Sequence, residues 1–128
     1  MGRRKDETKY RLPREVYQSV LWDIRSYRRY CLEYERILSE SPAPADGQPR
    51  GGSTSDPTLS KVIKLDRVTA RIKPIEQALI KIPEEYRAGI MAAIIEREVY
   101  PDFADRHTWA KWRQRFVYWV AFYKGEIF

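Results

Sequence analysis

The sequence predicts an all-α protein: a long antiparallel helical hairpin of coiled-coil character, followed by a two-helix unit of helix-turn-helix type. Three observations predict it. Apolar residues recur at alternating steps of three and four in two separate runs. Pro, Asp and Gly fall at the starts and stops of those patterns, with Pro74 the exception. No segment alternates apolar and polar residues over a useful strand length.

Residues 1–11 are charged and without periodicity, and read as a flexible basic arm carrying Arg3, Arg4 and Lys5. Leu12-Pro13 then opens a helix expected over 13–39. Pro suits the first turn because the N–H it lacks would be unpaired there. The seam of this helix is Tyr17, Val20, Ile24, Tyr27, Cys31, Tyr34 and Leu38. Residues 41–55, punctuated by Pro and Gly, form a flexible linker with nothing apolar to anchor it. Asp56-Pro57 supplies a cap and a first helical residue for the next helix.

The second run is Leu65, Val68, Ile72, Ile75, Leu79 and Ile82, extended backwards by Val62 and Leu59. Pro74 lies inside it and costs roughly 3 kcal/mol in a helix interior. Because the apolar register continues across Pro74, a kink is expected there rather than a break. The two seams together form the hairpin, 12–82, and make a homodimer expected, with contacts from Ile24, Tyr27, Leu65, Val68 or Ile72. The alternative is that the seams cover each other within one chain.

The remaining unit is 83–128. Pro83-Glu84-Glu85 starts a third helix, its acids complementing the positive end of the helix dipole. Residues 99–102 break it. Asp105 caps a fourth helix expected over 106–124, and Gly125 ends it. Successive residues of this helix turn by about 100°. Trp109, Trp112, Phe116, Trp119, Val120 and Tyr123 share one arc, expected to be buried. The opposite side holds His107, Lys111, Gln114 and Tyr118, flanked by Arg106 and Arg113 on one edge and Arg115 on the other. A polar, acid-free stripe edged by arginines suits a major groove: Arg106, His107, Lys111, Gln114 and Tyr118 are expected to contact bases or the groove, and Arg113 and Arg115 to meet phosphates.

Composition narrows the function. Lys and Arg number 24 against 18 Asp and Glu, a net charge of +6, compatible with a polyanionic partner. One Cys excludes a disulfide framework within the chain, and one His excludes a His pair for a metal. No apolar run approaches the ~18 residues of a membrane span, and no apolar signal core follows Met1, so a reduced, cytoplasmic protein is expected. Cys31 reads as a small core residue. Asp23, Glu33, Glu35 and Glu40 read as a solvated, mixed-charge surface. The Gly-rich stretch before Pro57 lacks the Lys-Ser/Thr of a phosphate loop. With no convincing acid–base pair, neither an enzyme nor a cofactor or metal is expected.

Three segments carry a family resemblance. They are Gly51-Gly52-Ser53-Thr54-Ser55-Asp56-Pro57-Thr58 with Lys61, Ile63 and Leu65; Pro83-Glu84-Glu85-Tyr86-Arg87 with Gly89-Ile90; and Thr108-Trp109, Trp112-Arg113 and Arg115-Phe116-Val117-Tyr118. In this order and spacing the chain resembles phage late-transcription regulators of the RinA/ArpU type. The resemblance implies a helical double-stranded-DNA-binding protein, related to the last region of sigma factors, that activates phage or prophage genes. It departs where the sigma-like members carry a further short helix. Here only residues 98–105, with Pro101, separate the last two helices. Two other classes fit the same features: a small-terminase-like DNA-packaging factor and a helical adaptor for RNA polymerase.

Overall fold

A computed structural model describes residues 9–40 and 57–127. Its helices are α1 (Arg14–Arg25), α2 (Tyr27–Ser39), α3 (Pro57–Ile80), α4 (Glu84–Glu96) and α5 (Arg106–Tyr123). Among the described residues there is no strand, and no helix is long and apolar enough to cross a membrane. The expected linker 41–55 and the Asp56 cap lie outside the described residues, as do residues 1–8 of the expected arm.

The expected single helix over 13–39 is two helices, α1 and α2, separated at Ser26. The Ser26 hydroxyl donates to the Trp22 carbonyl at 3.0 Å, and its N–H is shared between the Trp22 and Asp23 carbonyls. Such back-bonding competes with the regular ladder and bends helices. The seam shifts by one residue beyond this point. Tyr30 and Ile37 are buried, whereas Leu38 is 48% exposed and Cys31 is half-buried. A step of three on each side of Tyr27, where the heptad alternates three and four, accounts for the change.

Helix α3 starts at Pro57 and runs through Pro74 without interruption. Its two halves meet different neighbours. The Tyr27 hydroxyl donates to Glu76 at 2.9 Å, and Lys61 Nζ donates to the Leu38 and Glu40 carbonyls at 2.9 and 3.3 Å. Helices α2 and α3 therefore lie side by side in opposite directions. Tyr30, Ile37, Val68 and Ile72 form a small core between them. Leu59 and Val62, which were expected to extend the seam, are about half exposed.

The main core lies at the other end of α3. Val20, Leu21 and Ile24 of α1 meet Ile75, Ala78 and Ile82, Ile90 and Ile94 of α4, and Trp109, Phe116, Val117, Val120 and Ala121 of α5. This core crosses the expected boundary between 12–82 and 83–128. Helix α1 and the second half of α3 belong with α4 and α5 as one head, from which α2 and the first half of α3 project as an arm. Ile24, Val68 and Ile72, expected at a dimer contact, are buried within the single chain.

Ion pairs and carbonyl contacts join the pieces. Arg25 Nε donates to the Ile94 carbonyl at the end of α4, and Arg28 pairs with Glu96. Lys124, just past α5, pairs with Asp23 and with Glu126. Glu40 pairs with Lys64. Asp23 and Glu40, expected only to be solvated, are thus tied to partners.

Candidate nucleic-acid interface

Local chemistry starts α5 where the sequence placed it. The Asp105 side chain accepts the Thr108 N–H at 2.8 Å, which leaves its carboxyl below the ordinary Asp range. The helix ends at Tyr123, and Gly125 follows with φ of 79°, a conformation that suits glycine. Pro83 precedes α4 with an extended ψ of 140°, so it sits at the cap and not inside the first turn.

The rotational setting of α5 is fixed by Trp109. Its indole N–H donates to the Pro101 carbonyl at 2.9 Å, and its ring stacks on Tyr100 with an interplanar angle of 6°. Tyr86 and Phe103 meet the same ring edge-on. Helix α4 comes close enough to touch it only because residue 89 is Gly: a Cβ there would lie 2.6 Å from the Trp109 ring. The aromatic cluster therefore anchors both α4 and the connection 97–105 to the start of α5.

The buried face of α5 is rotated from the one expected. Trp109, Phe116 and Val120 are fully buried, as the wheel required, but so are Val117 and Ala121. Trp112, Trp119 and Tyr123 are only half-buried. On the helical wheel Arg113 falls amid the buried residues. Its Nε donates to the Tyr17 hydroxyl and its Nη1 to the Tyr100 hydroxyl, both at 3.3 Å. Arg113 is thus half-buried and ties α5 to α1 and to the connection before α5.

The other candidate residues separate into two groups. Arg106, His107 and Lys111 are exposed on the first two turns, with the small Ala110 between them, and Gln114 is half-exposed one turn on. No acidic residue occurs on α5. Arg115 and Tyr118 are covered in part by Tyr10, which sequence reasoning left in the flexible arm. The Arg115 guanidinium lies 4.7 Å from the Tyr10 ring centre and 5.2 Å from that of Trp112. Tyr118 meets Tyr10 edge-on with ring centres 5.0 Å apart. Lys111 Nζ lies 4.5 Å from the centre of the Trp112 ring, which holds its charge beside the exposed stripe. Beside Arg106, an open cavity of about 540 Å³ is lined by the connection before α5, including Glu98, Tyr100 and Pro101.

The arrangement presents cations and hydrogen-bonding side chains on the first turns of a helix whose back is locked into a core. Hydrogen-bond donors and acceptors on a rigid helix can reach base edges, and mobile cations beside them can meet phosphates. Comparison with protein-family models, curated proteins and solved structures finds no match.

Proposed function

We propose that the chain is a sequence-specific, double-stranded-DNA-binding transcription regulator of phage or prophage genes. In this reading α5 enters the major groove and α4 is its helix-turn-helix-like partner. One observation carries it: the exposed residues of α5 are concentrated in its first two turns and include Arg106, His107 and Lys111 without a carboxylate among them. In helix-turn-helix docking, the N-terminal residues of the second helix contact base edges.

Lys111, Gln114 and His107 take the base-reading roles. Arg106 and Arg115 take the phosphates, with Arg115 held in place by Tyr10 and Trp112. Tyr118, half-covered by Tyr10, sits at the margin of the contacted surface. Arg113, first assigned to phosphate, acts instead as the tie that sets the angle of α5 through Tyr17 and Tyr100. The resemblance to RinA/ArpU-type regulators supports the phage assignment.

The test is selection of bound duplexes from a randomised library, followed by location of the enriched motif in the genome that encodes the chain. A motif enriched and found beside promoters is the expected result. Enrichment of no motif over repeated rounds contradicts sequence-specific binding and favours a protein adaptor.

A further inference from the structure

The arm carries a second cationic surface, on its own helices and apart from α5. A cleft of about 230 Å³ opens between α2 and α3, its charged lining made up of Glu33, Arg36 and Glu40 from the α2 side and Lys64, Arg67 and Arg71 of α3. Glu40 is engaged by Lys64 at 3.5 Å. Among the described residues, no carboxylate comes within ion-pair distance of the Arg36, Arg67 or Arg71 guanidinium. Arg71 is seated over the Tyr30 ring, 5.4 Å from its centre, and Arg29 lies 5.7 Å from the same ring. Tyr30 is buried, so it offers Arg71 a fixed platform.

Lys64, Arg67 and Arg71 recur at steps of three and four, which puts them on one face of α3. Arg36 faces them across the cleft from α2. Four cations against two carboxylates leave the cleft net positive, with the three guanidiniums outside ion-pair distance of any described carboxylate. This suits a ligand with repeated phosphates, which guanidinium groups grip in a bidentate manner.

We propose that this cleft is a second DNA site, which grips the phosphate backbone of a duplex without reading its sequence. The proposal rests on the DNA-binding reading of α5 and extends it: the head selects the sequence, and the arm adds affinity for any sequence. A site of this kind contributes through counterion release, so its signature is the salt dependence of binding rather than the choice of base.

The experiment compares the full chain with Arg36→Gln/Arg67→Gln/Arg71→Gln and with the matching triple Lys variant. Fluorescence anisotropy is measured on a scrambled duplex and on a selected duplex over a series of KCl concentrations. The Gln variant is expected to lower the slope of log K against log salt by about 2 to 3 units, with the ratio of selected to scrambled affinity unchanged. The Lys variant is expected to keep most of the slope, because the charges remain. An unchanged slope in a Gln variant whose circular dichroism matches wild type overturns the proposal. So does loss of binding to a poly-glutamate peptide with the DNA slope unchanged, which would assign the cleft to an acidic protein segment. Lys111→Ala/Gln114→Ala, run in parallel, separates the two claims. It should reduce the selected-to-scrambled ratio if α5 reads DNA, whatever the arm does. A wild type that binds neither duplex overturns both.

Discussion

The head and the arm share one helix, α3, and differ in what surrounds it. In the head, Ile75 and Ala78 of α3, with Ile82 just past its end, pack among residues of α1, α4 and α5, and each is essentially without solvent contact. In the arm, Val68 and Ile72 of the same helix meet only α2, and the core there consists of these two with Tyr30 and Ile37. The heptad pattern is equally regular in both halves. Burial by several helices, not the pattern, makes one half a core and the other a seam. Regions with few buried apolar contacts open at lower free energy than the global unfolding. The head is therefore the more rigid element, and the arm is the softer one.

Trp109→Ala should have the largest effect, because the ring anchors α4, α5 and the connection between them. A loss of about 3–5 kcal/mol is expected in urea unfolding. If the variant keeps its stability but loses DNA binding, Trp109 contacts a base and the head is not built around it.

A matched pair sharpens the comparison directly. Ile75→Ala in the head should cost about 4 kcal/mol, and Ile72→Ala in the arm about 2 kcal/mol, because the arm can close around the smaller side chain. Equal losses would mean that head and arm unfold as one equally packed unit. Gly89→Ala comes next. Its new Cβ meets the Trp109 ring, so overpacking of about 1–3 kcal/mol should outweigh the roughly 1 kcal/mol that Ala gains in a helix. A raised melting temperature would show that α4 and α5 can separate without cost.

The smallest effect is expected at the base of the arm. Tyr27→Phe removes the bond to Glu76, and at this half-buried position the loss should be about 1 kcal/mol or less. Burial, and then the bond to Glu76, raise the Tyr27 hydroxyl above its ordinary value. A raised pKa means that the contribution is fully present below the unfolded tyrosine value and is lost as pH rises through the folded one. Stability of wild type should therefore fall more steeply than that of the Phe variant in strong alkali, as read by amide exchange in α2. Parallel curves would remove Tyr27 from the account.

Much of this architecture was legible because its signals are local. Asp105 caps α5, Gly125 ends it and Pro83 precedes α4, each through groups within a few residues of its own backbone. What sequence missed depends on distant partners. Ser26 could be seen as a poor helix residue, but its bond to Trp22 and the resulting shift of seam could not. Val117 and Ala121 fall outside the single apolar arc that the sequence predicts for α5. Burial against α1, α3 and α4 widens that arc and draws Arg113 into it. Tyr10 carried no periodic signal at all, and only the folded chain brings it onto Arg115 and Tyr118. The spacing of Lys64, Arg67 and Arg71 was present in the sequence. Its meaning required Arg36 from α2 to face it.

The claim that α5 reads DNA is tested most directly by titrating wild type and Lys111→Ala/Gln114→Ala against a selected duplex and its scrambled counterpart at fixed salt. Both residues face away from the main core, so the variant should melt close to wild type. Each lost base contact should weaken the selected duplex by about 1–3 kcal/mol and leave the scrambled one nearly unchanged. A folded double variant that still prefers the selected duplex as strongly as wild type would contradict the account, because a surface other than the first turns of α5 would then be reading the sequence.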